Sequence, residues 1–565
     1  MKRRTVATLI VAVLAAACLF ANAAQESAPV KVEYTPNGEY PIVKTPITVD
    51  IMVVQPPCVE DFNTNEFSKY MAKKTGVNVN FIMVPEQTAK EKLSLTLASG
   101  DYPDAFLGFG IGSDLEATYG TQDGLFLPLN KYYDKNWMPN MMKAFEDFPG
   151  AVGYLTNIDG NIYSLPRLEG CFHCSNMAKM FVYQPFLDKL GLKTPTTTEE
   201  FYQVLKAIKT KDPNGNGKAD EIPLAGSIVG WADNLERFLL NSFIYCDIDT
   251  NINANAISNV GFLMNGKKVD TCVNKDAYRA GLAYIAKLYK EGLIYNGSFT
   301  QDSNQLTQLV ESSAQPVVGF AAGGWRGQFS SLSGDRFLNY RAIAPLKGPK
   351  GVQEAPNFFQ TPGGGALVIS SDCQYADAII RYFDYMFSNQ GLLEERNGFE
   401  GTAWKWADSS KKGLDGNKAI WEEIIQWNDK DPQNVTWIQV QCGSMSYALK
   451  NGLAVEPIGK DNPAYYTPDN NEKVLYDETA ELYKPYAHTE LEVPTLKFTA
   501  EENDKYSTLR VELANYIRQS CVKFMVGTLD VNNDAVWNEY LANLSKLQLQ
   551  TCLDSMQVAY DRQYK

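Results

Sequence analysis

The run Asp212-Pro213-Asn214-Gly215-Asn216-Gly217-Lys218-Ala219-Asp220-Glu221 is the most informative stretch of the chain. Oxygen-bearing side chains stand at positions 1, 3 and 5 and glycine at position 6, as in the first half of a calcium-binding loop. The glycine allows a sharp turn, alternate carboxylate and amide oxygens converge on a hard cation, and Lys218 offers its backbone carbonyl. Position 12 is Pro223 where an EF-hand has a bidentate glutamate, so Asp220 and Glu221 must close the shell. The same residues also suit a hydrated Asn/Gly turn after a helix. Three carboxylates around one ion favour a structural calcium.

Other chemistry is sparse. Cys171-Phe172-His173-Cys174 holds two zinc-ligand types, but a structural zinc takes four ligands and the second of the two histidines is distant, at His488. A local disulfide or two free thiols is the expectation there. So few histidines leave little general-base chemistry at neutral pH. Gly-x-Ser-x-Gly, His-Glu-x-x-His and Gly-x-x-x-x-Gly-Lys-Ser/Thr motifs are missing. Glycoside hydrolysis needs two carboxylates, and nothing selects a pair among 66 acids. Aromatic residues are 12% of the chain, with 31 Tyr and 9 Trp, and such flat faces with polar tips suit sugar rings as well as cores. Candidate ligand contacts are Trp325 and Arg326 after the strand-like 317–320, Glu400 and Trp404 (on one face if helical), Trp231 after Val229-Gly230, and Arg167 after the strand end 163–166.

Met1-Lys2-Arg3-Arg4 followed by an apolar run too short to span a bilayer reads as a secretory signal peptide. Cleavage after Ala23 gives a leader of 1–23. Leu14-Ala15-Ala16-Ala17-Cys18 instead resembles a relaxed lipobox, with a leader of 1–17 and a lipidated Cys18. Without the leader, 49 Lys and Arg face 66 Asp and Glu, a formal charge of −17, which argues against a nucleic-acid partner. A chain of 565 residues exceeds what one core organises, so two or more domains are expected.

The elements that would position these residues follow from periodicity. A polar tether over 24–44 precedes strand 47–53, helix 67–76 ending at Gly76, strand 77–84, helix 90–98 and strand 105–108. That rhythm predicts a βαβ sheet covered by helices. Beyond Pro166, capping boxes at Thr196/Glu199 and Thr197/Glu200 open a helix, 276–291 forms another, strand 366–369 precedes helix 376–387, and the tail 537–560 is helical.

The loop Asp-Pro-Asn-Gly-Asn-Gly-Lys-Ala-Asp-Glu-Ile-Pro-Leu resembles that of the family 1 extracellular solute-binding proteins of ABC importers, in the large lipoprotein and alginate-oligosaccharide-binding branch. Segments 98–104, 159–166, 187–197, 398–404 and 559–562 agree in the same order. The resemblance implies an α/β, two-lobed periplasmic-binding-protein fold of type II, each lobe a sheet flanked by helices, with the cleft at the hinge. It places 45–165 with 342–440 in one lobe and 166–341 with 441–565 in the other. It implies a structural calcium on Asp212, Asn214, Asn216, Lys218 (carbonyl), Asp220 and Glu221, and ligand contacts near Trp325 and Glu400. The implied function is a non-enzymatic, exported monomer, periplasmic or on the outer face of the membrane, that captures a carbohydrate by hinge closure and delivers it to permease subunits. Relatives often carry a basic-acidic-Trp stretch where this chain has Tyr183-Gln184-Pro185-Phe186, which weakens the inference of an acidic ligand. A peptide-binding receptor and a secreted glycoside-degrading enzyme stay open as alternatives.

Overall fold

Alternation along β1 (Ile47–Gln55) buries Ile47, Val49 and Ile51 and exposes Thr48 and Asp50, as a strand of period two requires. It pairs in parallel with β2 (Val77–Pro85) and β3 (Ala105–Leu107), through the connecting helices α1 (Glu66–Thr75) and α2 (Ala89–Ser99). α1 ends because Gly76 takes the left-handed conformation, φ 74°, which costs glycine nothing. The computed structural model describes residues 32–250, 260–357, 363–426, 432–438 and 442–565. The expected leader and Cys18 lie outside them.

β4 (Ser164–Glu169) belongs to the first sheet, and the chain then crosses to β5 (Lys179–Tyr183) of a second. There follow α3 (Thr198–Thr210), β6 (Ile222–Ala225), the hairpin β7 (Phe262–Asn265) and β8 (Lys268–Thr271), α4 (Asp276–Lys290), β9 (Val318–Gly323) and β10 (Tyr340–Ile343). The chain returns for β11 (Gly363–Ile369), α5 (Ala376–Asp384), the hairpin β12 (Trp404–Trp406) and β13 (Trp421–Glu423), and β14 (Gly443–Met445). It crosses a third time and ends in α6 (Ala500–Met525), α7 (Asp534–Lys546) and α8 (Leu549–Tyr564).

The first sheet has the order β14-β4-β11-β3-β1-β2 and the second β10-β5-β9-β6. β11 runs antiparallel to β3 and β4, with a register shift between Gly363 and Leu367. Gly365 makes that irregularity possible: a Cβ there would stand 1.8 Å from the Ile111 carbonyl oxygen. Each sheet has its own core, one drawn from 42–168 and 366–442, the other from 180–355 and 483–559. α4 serves the second core with Tyr278, Leu282, Ile285 and Leu288, all fully buried at helical spacing. Each aliphatic side chain buried this way contributes about 1.5–3 kcal/mol. α3 opens on a capping box between Thr197 and Glu200.

Two boundary expectations need correction. The cuts after 165, 341 and 440 each fall short of a strand end, since β4 runs to Glu169, β10 to Ile343 and β14 to Met445 before the chain leaves its sheet. Arg167 and Glu169 at the C-terminal end of β4 hide its length from an alternation argument. Residues 32–44 are also no tether: Ile42 and Val43 are buried, and the Arg381 guanidinium donates to the carbonyls of Thr35, Pro36 and Glu39 at 2.9–3.1 Å.

Candidate functional site

The acidic loop joins α3 to β6, the edge strand of the second sheet. Asp212 adopts φ 49° and begins a chain of side-chain to backbone hydrogen bonds. Its carboxylate accepts from the amides of Asn216 (3.1 Å) and Gly217 (2.9 Å). Asn214 Oδ1 accepts from the Asn216 amide (2.9 Å), and Asn216 Oδ1 from the Lys218 amide (2.8 Å). Both asparagine side chains donate to Asp220, at 3.3 and 3.1 Å. These bonds tie together Asp212, Asn214, Asn216, Lys218 and Asp220, five of the six residues expected around calcium.

Glu221 supplies the test of fit. It is 8% exposed, and neither carboxylate oxygen has a well-formed hydrogen bond. Burial and the charges of Asp212 and Asp220 push its carboxyl upward. A buried carboxylate that feels two other negative charges is costly unless a cation relieves it. The donor set, all oxygen with three carboxylates, fits calcium.

Trp231 lies beyond the opposite end of β6, separated from the acidic loop by that strand, about 13 Å at 3.3 Å per residue. β6 and β9 are parallel, so their carboxyl ends open on one edge, where α/β sheets bind ligands. Trp231 follows β6 and is 39% exposed. Trp325 follows β9, partly exposed and edge-on to Phe337 at 6.4 Å. Glycines make room for both indoles: a Cβ on Gly324 would meet the Trp231 ring at 2.2 Å, and one on Gly327 the Trp325 ring at 2.4 Å. Ala232 holds φ 60°, a conformation that costs a non-glycine residue energy and clusters at functional sites. Next to it Asp233 is 1% exposed, with one carboxylate oxygen making no hydrogen bond, and burial pushes its carboxyl up.

Arg326 and Trp404 do not join that surface. Arg326 is fully buried, and its guanidinium donates to the carbonyls of Phe337 (3.3 Å) and Tyr466 (3.1 Å) and to Asn471 Oδ1 (3.1 Å). Trp404 is also fully buried, its Nε1 donating to the Gly398 carbonyl at 2.6 Å. The segment holding Glu400 and Trp404 is a turn leading into β12, so their spacing does not create a helical face. Glu400 is exposed on that turn.

Arg167 on β4 pairs with Glu169 at 2.9 Å and keeps 38% of its side chain accessible. It belongs to a charged cluster where the chain passes between sheets. Arg396 lies 3.7 Å from Glu169, Lys450 and His173 lie 2.6 and 3.7 Å from Glu472, and Asn397 donates to Glu423 at 3.0 Å. Burial opposes ionisation of Glu472, but the Lys450 ammonium and neighbouring His173 overcome it and hold the carboxyl down at about 2. Burial and the Glu472 charge push Glu423 up to about 7. Burial drives His173 down to about 4, a neutral imidazole. Cys171 and Cys174 form a disulfide, which consumes both thiols and excludes zinc at that turn. Asp233, Glu169, Arg396, Glu423 and Glu472 escaped the sequence reading because they come from separate segments without local spacing. Trp231-Ala232-Asp233, an aromatic just before an acid, was the one available signal.

Over residues 59–392 the chain matches the family described as bacterial extracellular solute-binding protein. The fructooligosaccharide ABC transporter substrate-binding protein FusA of Streptococcus pneumoniae serotype 4 is 26% identical over 523 residues, 89% of this chain and 88% of FusA. Lipoprotein LipO of Bacillus subtilis is 24% identical over 497 residues, 85% of this chain and 88% of LipO. FusA solved in complex with kestose superposes with a TM-score of 0.71 at 24% identity, over 91% of this chain and 99% of that structure. A solute-binding protein of Bifidobacterium longum infantis, described as binding HMO, gives 0.71 at 24% identity, over 92% and 99%. Alginate-binding protein AlgQ2 gives 0.65 at 24% identity, over 92% and 98%. Those likenesses show the two-domain α/β fold of periplasmic solute-binding proteins, and the matched stretch shows the lineage: the chain belongs to the bacterial extracellular solute-binding protein family.

Proposed function

We propose that this protein is the substrate-capturing receptor of an ABC importer for a carbohydrate, an oligosaccharide by preference. The observation that carries the reading is the pair Trp231 and Trp325 at the carboxyl edge of the second sheet, each indole seated on a glycine. Flat aromatic faces beside the buried Asp233 carboxylate suit the faces and hydroxyls of sugars. FusA, a relative along most of the chain, is named for fructooligosaccharide transport. Ligand contacts are assigned to Trp231, Trp325, Arg167 and Glu400.

In this reading the lobes comprise 45–169 with 363–445 and 170–343 with 446–565, joined by three crossings. Capture is hinge closure around the sugar, with no bond made or broken. The ligand then passes to permease subunits in the membrane. Calcium on Asp212, Asn214, Asn216, Lys218, Asp220 and Glu221 is structural, since β6 separates it from the indoles. A FusA structure is of an EF-hand mutant and AlgQ2 was solved without calcium ion, which supports the assignment. The leader directs export of a monomer, and Cys18 is the lipidation site if the anchor is made. Among the described residues no helix is long and apolar enough to cross a membrane.

One observation favours a hydrolase: Glu423 near 7 beside Glu472 near 2 is the division between acid and carboxylate that glycosidases use. The Lys450 pair that holds Glu472 ionised serves a hinge equally well. Incubation with neutral oligosaccharides, followed by calorimetry and chromatography of the sugar, separates the readings. Saturable binding that returns intact sugar and weakens at least tenfold in Trp231→Ala supports the receptor. Released shorter sugars would replace it with the enzyme.

A further inference from the structure

Two cysteines outside the charged crossing lie within reach of each other. Cys246 follows the short helical segment that holds Asn241, and Cys272 follows β8. Their sulfurs are 3.2 Å apart, with 1% and 0% of each residue exposed. A bond needs about 2.04 Å, so closing the gap takes roughly 1.2 Å, within a small side-chain adjustment.

Both backbones are fixed. The Cys246 amide donates to Asn241 Oδ1 at 2.9 Å and its carbonyl accepts from Asn241 Nδ2 at 2.7 Å. The Cys272 amide donates to the Gly261 carbonyl at 2.8 Å. Gly261, at φ 79°, leaves room for the sulfur, since a Cβ there would sit 2.7 Å from Cys272 Sγ. The family's extracellular setting is where disulfides persist.

We propose that Cys246 and Cys272 form a second disulfide in the exported protein, closing the segment that carries the hairpin β7–β8. The oxidant is a protein or small-molecule disulfide of the oxidising compartment. Each thiol gives up a proton and the pair gives up two electrons; one S–S bond forms here while the donor's S–S bond breaks and leaves as two thiols. Burial raises the Cys246 thiol well above its ordinary range, so the exchange takes place during folding, before the core closes over both sulfurs. Once formed, the bond pins a hairpin that also touches the C-terminal helix, where the Val269 amide donates to Gln557 Oε1 at 2.8 Å. Cys521, buried in the same core, is the competing partner.

The test is differential labelling of the full chain. Protein recovered after export is unfolded without reductant in iodoacetamide, then reduced, treated with N-ethylmaleimide and mapped by mass spectrometry. The same mapping is applied to protein refolded in a glutathione redox buffer, which examines the geometry apart from the compartment. The expected result is maleimide on Cys246 and Cys272 in both preparations and one cross-linked peptide joining them before reduction. Iodoacetamide on both residues after refolding would overturn the geometric basis. A link formed in buffer but missing from the exported protein, or a link from either residue to Cys521, would overturn the proposal as stated.

Discussion

Replacing Glu221 with Gln should change stability in opposite directions with and without calcium. The two Glu221 oxygens are buried without a well-formed hydrogen bond and feel the charges of Asp212 and Asp220. Removing that charge relieves the ion-free loop, so E221Q in EGTA should melt at or above wild type, by up to about 1 kcal/mol. With calcium the order reverses. A site with Kd on the order of 10 μM at 1 mM free calcium stabilises the folded state by about 2.7 kcal/mol, or roughly 5 °C in Tm for a lobe of this size. E221Q loses a carboxylate ligand and most of that gain. Calorimetric melts of both proteins in calcium and in EGTA read all four values. A wild-type Tm indifferent to EGTA, or an E221Q deficit equal in both buffers, would refute the loop as a metal site.

Three further outcomes follow from named contacts. Gly324→Ala places a methyl against the Trp231 ring, 2.2 Å from where it lies; sugar affinity should fall about tenfold, about 1.4 kcal/mol, with little change in Tm, as isothermal calorimetry and thermal melts would show. Arg326→Met removes three hydrogen bonds, two of them buried and one partly buried; denaturant unfolding should show a loss of about 2–4 kcal/mol. Glu423 is held near 7, above its unfolded value of about 4.3, so the folded state binds the proton more tightly. The stability it contributes is full below the unfolded value and is lost as pH rises through 7. Wild type should therefore lose about 1–2 kcal/mol relative to E423Q between pH 5 and pH 8, after allowance for partial exposure; a pH-independent difference would contradict the assignment.

Local periodicity made much of the first sheet legible. Ile47, Val49 and Ile51 alternate inward, and Gly76 and the Thr197/Glu200 box mark helix ends through backbone chemistry confined to a few residues. The acidic loop was legible for the same reason: its oxygen-bearing residues are contiguous. The cleft was not. Trp231 and Trp325 fall on the same sheet edge because β6 and β9 are neighbours, a pairing no local pattern encodes. Arg326 and Trp404 looked like ligand groups by type, yet each was claimed by partners distant or hidden in sequence, Tyr466 and Asn471 for the first and the Gly398 carbonyl for the second. The charged crossing gathers Glu169, Arg396, Glu423, Lys450 and Glu472 from well-separated segments, so only the folded chain shows it.

The most direct measurement is isothermal titration of the calcium-loaded protein with a panel of neutral oligosaccharides, acidic oligosaccharides and short peptides, with each ligand recovered and analysed afterwards. Saturable one-to-one binding of a neutral oligosaccharide, weakened in Trp231→Ala and returning intact sugar, is the predicted result. Binding confined to peptides, or recovery of cleaved sugar, would contradict it.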